Sequence, residues 1–259
     1  MSPLTLAFCA LCQFLWVGAL TCGFTTSAFA ITGNSGSVPL LGRHEVMIVG
    51  SGGTFCTGTA IARDLVLTAA HCVLSGRDYR LIEFDTAGQP ILLPTKMVVS
   101  HPNFSLQMLL RHRATADVAL VKLTAPLSGK ITSAVLGNPR RVPKPGDRFT
   151  IKGFGLSEPG NGKTGGTLRS AELIVTGRPS NLQVRLVDPA HVGALKGMGA
   201  CTGDSGAPVY EGFSLIGIVS WSTGPNLAAG CGGITGVTPL ILYRSWILDT
   251  ARKLGSGLP

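Results

Sequence analysis

The sequence predicts an all-β protein closed by one helix, and three observations lead there. Glycine supplies 35 of 259 residues, roughly twice the usual ~7%, and 16 prolines accompany it. Only 14% of residues are charged, against a usual ~25%, while 45% are apolar. The apolar runs are short and rich in Val, Ile and Thr, with turn residues between them. This pattern suits short strands joined by tight turns and excludes a disordered tail, a coiled coil and a collagen-like rod. The formal charge of +9, from 22 Lys and Arg against 13 Asp and Glu, favours approach to anionic surfaces and carries no information on fold.

Residues 1–30 contain no charged side chain and are mostly apolar from Leu4 to Phe29. Ala28-Phe29-Ala30 has the small-x-small pattern of a signal-peptide cleavage site, so the segment is read as a signal peptide cut after Ala30, in preference to an uncleaved anchor. The absence of Lys or Arg near Met1 departs from the usual basic start. Lipidation of Cys22 is disfavoured because Leu20-Thr21 lacks the small residue needed before it. No later stretch is apolar enough to span a bilayer, so no stable membrane anchor is expected after cleavage.

Residues 31–259 then form one large β domain or two small barrels. Of seven cysteines, Cys9, Cys12 and Cys22 leave with the signal and Cys56, Cys72, Cys201 and Cys231 remain. An even set in an exported chain implies two disulfides, each worth about 3 kcal/mol in the chain-entropy model. Sequence alone does not choose among the three pairings, although Cys56 with Cys72 and Cys201 with Cys231 close the shortest loops.

Strands are expected at 45–49, 58–62, 65–68, 96–99, 118–123, 148–152, 171–175, 184–186, 208–210 and 215–220. The loop-rich stretch 124–147, with Pro126, Gly129, Gly137, Pro139, Pro143, Pro145 and Gly146, is read as the crossing between two halves. The run Gly160 to Gly166 lacks the first glycine of a phosphate loop, since position 157 is Ser157, and is assigned to a surface loop. From Leu240 to Leu254, apolar Ile241, Trp246, Ile247 and Leu248 recur without Gly or Pro, which predicts a terminal helix preceded by Pro239.

Three segments carry chemistry. A strand ends at His71 in Leu67-Thr68-Ala69-Ala70-His71-Cys72, another begins at Asp117, and Ser205 sits in Gly203-Asp204-Ser205-Gly206. A serine hydroxyl attacks a carbonyl at neutral pH only when a neighbouring base removes its proton, a role suited to His71. The imidazole needs a carboxylate on its other nitrogen to fix the tautomer and stabilise the cation, a role suited to Asp117. Negative charge on the tetrahedral intermediate needs backbone N–H donors, and the N–H groups of Gly203 and Ser205 are the candidates. His44, His101, His112 and His191 are assigned to surface or loop positions. None has a neighbour at metal-ligand spacing, so neither metal nor cofactor is expected.

These segments, with Gly153-Phe154-Gly155, Ser220-Trp221-Ser222 and Tyr243-Arg244-Ser245-Trp246-Ile247, occur in the order of the trypsin/chymotrypsin family of serine endopeptidases, which residues 31–259 resemble. The resemblance implies two six-stranded antiparallel β-barrels packed face to face, with the site in the cleft between them. It also implies disulfides Cys56–Cys72 and Cys201–Cys231 and an ion pair between a new N-terminus at Ile31 and Asp204. Family positions for the specificity pocket fall on Gly199, Ala200, Thr202, Ser222 and Gly236, while Ser220, Trp221 and Ser222 would pair with substrate backbone. With Gly199 at the pocket base no carboxylate is visible there, so a preference for apolar or medium side chains is expected rather than for Lys or Arg. Peptides and proteins are the implied substrates and protein protease inhibitors the implied partners, with no role for nucleic acid. The rival is a binding protein that keeps the fold and has lost activity.

Overall fold

The computed structural model describes residues 31–32, 36–37, 43–85, 89–111, 113–191 and 197–258. The expected signal peptide, residues 1–30, and His112 lie outside the described residues. Among the described residues fourteen strands form: β1 (Gly36–Ser37), β2 (Glu45–Gly50), β3 (Thr54–Ala62), β4 (Leu65–Thr68), β5 (Tyr79–Phe84), β6 (Pro90–Ser100), β7 (Ala119–Leu123), β8 (Val135–Leu136), β9 (Arg148–Gly153), β10 (Arg169–Ser180), β11 (Gln183–Val187), β12 (Pro208–Glu211), β13 (Ser214–Ser222) and β14 (Thr235–Pro239). Two helices, α1 (Leu106–Leu110) and α2 (Arg244–Lys253), accompany them.

Strands β2, β3, β4, β7, β6 and β5 form a closed antiparallel barrel. A second ring runs β10, β11, β14, β13, β12 and β9, closed by the β9–β10 pairing, with β1 and β8 appended. Closure leaves neither barrel an open edge, which fits short strands of low charge. Val46, Ile48, Leu65, Leu67, Leu81 and Leu120 fill the first interior. Ile151, Leu173, Leu186, Val209 and Val219 fill the second.

The terminal helix is shorter than its pattern suggests. Leu240–Leu242 form a separate 3-10 turn, and α2 starts only at Arg244. From there Tyr243, Ile247 and Ala251 bury against the first barrel's core, so the chain leaves the second barrel and straps back across the first. The strap end is pinned where Lys122 Nζ donates to Asp64 Oδ2 (2.6 Å) and Ser256 Oγ (2.8 Å), and Ser256 Oγ donates to Asp64 Oδ1 (2.8 Å).

Candidate active site

His71 lies in a 3-10 turn, Ala70–Val73, directly after β4. The Cys56–Cys72 disulfide (S–S 2.05 Å) ties this turn to β3, and Cys201–Cys231 (S–S 1.99 Å) forms the other bridge, the pairing the resemblance implied. Asp117 precedes β7 and is fully buried. It accepts three hydrogen bonds: from His71 Nδ1 to Oδ2 (2.8 Å), from the His71 backbone N–H to Oδ1 (3.0 Å), and from Ser220 Oγ to Oδ2 (2.6 Å). Because an ionised carboxylate only accepts, Nδ1 carries the proton, and in the neutral ring Nε2 is left as an acceptor. That is the tautomer a general base needs.

Ser205 lies beside the same disulfide. Cys72 Sγ is 3.8 Å from His71 Nε2 and 3.6 Å from the Ser205 carbonyl oxygen. The sulfurs of Cys56 and Cys72 lie within 4.8 Å of a His71 ring nitrogen, but their disulfide consumes both thiolates that could bind a metal.

Glycine is required on both sides of Ser205. Gly206 has φ +78°, and a Cβ there would run into Thr68 Oγ1 and the Thr57 carbonyl. At Gly203 (φ +97°) a Cβ would lie 2.5 Å from the Phe55 ring. Among the described residues neither the Gly203 nor the Ser205 N–H donates to a protein acceptor, so both remain available to an oxyanion. Thr57, which no sequence signal singled out, fixes the turn to the first barrel. Its N–H donates to the Ser205 carbonyl (2.9 Å), its Oγ1 donates to the Gly203 carbonyl (2.8 Å), and Phe154 N–H donates to that Oγ1 (3.1 Å).

Asp204 is fully buried. Its Oδ1 accepts the Gly155 N–H (2.8 Å) and its Oδ2 the Cys201 N–H (2.9 Å). Desolvation raises its pKa to about 7 against the lowering effect of those bonds and of the Arg169 charge. A Cβ at Gly153 or Gly155 would collide with this carboxylate, so glycine is needed on both sides of Phe154. Ile31 is buried in the second barrel's core with Ala200 and Ile151. Thr32 bridges to Gly199, with N–H to O distances of 3.1 and 3.3 Å.

Gly199 and Ala200 are buried, and the Ala200 N–H donates to Thr235 Oγ1 (3.0 Å). A Cβ at Gly199 would sit 3.3 Å from that hydroxyl, so the surroundings of Gly199 include a neutral oxygen. Trp221 pairs with Gly236 across β13 and β14, and its indole fills the space a Cβ at 236 would need. Thr202 is exposed, and Ser222 is half-buried, its Oγ donating to the Gly230 carbonyl (3.4 Å).

Asp188 was not singled out in the sequence. It supports the Gly197 to Gly199 segment from behind, accepting the N–H groups of Ala190 and Met198 (2.8 Å each) and His191 Nδ1 (3.1 Å). Desolvation opposes its ionisation, yet these donors hold it below the usual carboxylate range. His101 is half-buried, its ring edge-on to Tyr243 and Trp246 at 5.0 Å each. Burial lowers its pKa.

Two closed barrels, with a buried aspartate on a histidine and glycine-framed amides at a serine, define the class of double-barrel serine hydrolases. A family model described as Trypsin matches residues 31–247. Human kallikrein-15 is 33% identical over 224 residues, covering 76% of this chain and 82% of that protein. Pig trypsin is 28% identical over 245 residues, covering 90% and 94%. Mouse neuropsin shares the fold with a TM-score of 0.65 at 24% identity, covering 84% of this chain and 98% of its own. The chain belongs to the trypsin family of serine proteases, a family of hydrolases.

Proposed function

We propose that this protein is an exported endopeptidase that cleaves peptide bonds through an acyl-enzyme, with Ser205 as nucleophile, His71 as general base and acid, and Asp117 orienting the imidazole. The observation that carries this reading is the fully buried Asp117 carboxylate bound to His71 Nδ1 and held from behind by Ser220. In the first step Ser205 Oγ bonds to the substrate carbonyl carbon while its proton passes to His71 Nε2. The resulting oxyanion takes hydrogen bonds from the Gly203 and Ser205 amides, and loss of one such donor raises the barrier by about 3 to 4 kcal/mol. His71 then gives its proton to the departing amine, and water repeats the sequence on the ester.

Residues 1–30 serve as the signal, and cleavage after Ala30 creates an Ile31 ammonium that pairs with Asp204 and shapes the oxyanion site. Burial of Ile31 and the docking of Thr32 on Gly199 support this, because both bring the new terminus to the barrel that holds Asp204. The two disulfides suit an oxidising compartment. Gly199, with Thr235 Oγ1 beside it, favours apolar or medium side chains before the cut over Lys or Arg.

The test is a fluorophosphonate label on protein beginning at Ile31. Covalent modification of Ser205, abolished in Ser205→Ala, supports the endopeptidase; no labelling of folded, processed protein refutes it and leaves a binding protein of the same fold. A peptide library then reads the side-chain preference, and efficient cleavage after Lys or Arg would overturn the neutral-pocket reading.

A further inference from the structure

Beside the candidate site lies a second concavity of about 690 Å³ that the catalytic reading leaves unused. It is lined by residues 73–79, which follow the turn that holds His71, and by residues 95–98 and 100 of β6. Phe104 and Leu106 complete the lining. They belong to the segment that leads to Asp117. That segment is held by the His101 N–H on the Val118 carbonyl (2.9 Å) and by Thr115 Oγ1, which accepts the Ser105 N–H (2.8 Å) and donates to the Asn103 carbonyl (3.2 Å). The groove therefore adjoins both chain segments that carry the base and its carboxylate.

Its surface mixes apolar and polar groups, and its charge is mostly cationic. Met97 is 50% exposed and Leu106 37%, and Leu110 on the same short helix reaches 71%. Arg77 and Lys96 line the groove, and neither forms an ion pair among the described residues. Arg111 and Arg113 follow α1 and are exposed. Among the described residues, Asp78 is the one carboxylate in the lining. No acidic residue occurs between Asp85 and Asp117 in the sequence. A concave surface that interleaves apolar and polar groups under excess positive charge complements a chain that alternates apolar and acidic side chains.

We propose that this groove binds an acidic, apolar segment of the polypeptide substrate lying outside the residues that fill the cleavage cleft, an inference that rests on the endopeptidase reading above. Extended substrates gain affinity there while the chemistry at Ser205 is unchanged. The fit of the groove beside the cleft favours a polypeptide continuing from the cleft over a flat anionic membrane.

The experiment uses the processed enzyme and one fluorogenic core peptide chosen from the library. The core is prepared alone, with an Asp-Leu-Glu-Leu extension at either end in turn, and with Lys-Leu-Lys-Leu in its place. The acidic extension at one end should lower KM about 10-fold against the core alone, with kcat unchanged, and the gain should shrink at high salt. In Arg77→Glu/Lys96→Glu the gain should vanish for the acidic extension and appear for the basic one, with the core alone cleaved as before. Equal KM for extended and short peptides, or a gain that survives charge reversal, overturns the proposal. So does loss of sedimentation with phosphatidylserine vesicles in the double variant while the peptide gain persists. If the unextended core is not cleaved at all, the endopeptidase reading itself falls, and the groove assignment falls with it.

Discussion

Asp204→Asn should act in opposite directions on a chain that begins at Ile31 and on one that keeps a residue in front of it. Where Ile31 is still peptide-bonded, desolvation raises the folded Asp204 carboxyl to about 7, well above the 3.8 of an ordinary aspartate. The folded state therefore holds this proton more tightly than the unfolded state. The stability so conferred is full below about pH 4 and is lost as pH rises to about 7. About three units at 1.36 kcal/mol each make the loss about 4 kcal/mol. Asparagine has no charge to desolvate, but its amide cannot accept at both positions. Either the Gly155 or the Cys201 N–H, bonded at 2.8 and 2.9 Å, then loses its partner at a cost of about 1–3 kcal/mol. At pH 8 the blocked variant should accordingly be more stable than its parent by about 1–3 kcal/mol. In the chain that begins at Ile31 the same substitution strands an ammonium in the interior and should destabilise by about 3–5 kcal/mol, with loss of peptidase activity. Urea unfolding at pH 8 of the four proteins, alongside hydrolysis rates, measures both signs. A shift of the same sign in both backgrounds would refute the ion pair.

Gly206→Ala combines a left-handed φ with a collision against Thr68 and Thr57 and should cost about 3 kcal/mol or more, seen as a fall of about 10 °C in Tm. Gly212→Ala, at φ +58° with nothing within 4 Å, should cost only about 1 kcal/mol by the same melt and serves as its control. Ser220→Ala removes the 2.6 Å donor to Asp117, worth about 1.5–3 kcal/mol. It should lower kcat, because the Asp117 carboxylate, freed on one side, holds the His71 imidazole less firmly in line. Lys122→Met removes the partner of Asp64, whose carboxyl is 30% exposed, so only about 1–2 kcal/mol is expected in urea at pH 7. Desolvation opposes ionisation of Asp64, but Lys122 and Ser256 outweigh it and depress the carboxyl. This stability is present above the unfolded value and lost as pH falls through the folded one, so the difference between parent and variant should shrink in acid.

Much of the fold was legible because its cause is local. β4 lies at Leu65–Thr68 as the sequence pattern predicts, and the expected strands at 45–49, 148–152 and 184–186 each lie inside longer elements. Two core strands escaped. In β14, Gly236 and Pro239 read as breakers, yet all five residues are buried and Pro239 sits at the strand end opposite Gly217. In β5, two charges among six residues hide an alternation that places Tyr79, Leu81 and Glu83 inward. The motifs around His71, Asp117 and Ser205 named the groups that could react, because each role demands a particular side chain. By itself, then, the sequence determined the strand-rich architecture, the glycines of the serine turn and which side chains are candidates to react, all of which depend on composition or on neighbours along the chain. Only the tertiary structure decided that Ser220 and Thr57 support the site, that the Trp221 indole lies against Gly236, and that Asp188 backs the segment before Cys201. Each of those contacts joins residues brought together by barrel closure, and no periodicity or motif records a contact whose partners are set by how two curved sheets meet.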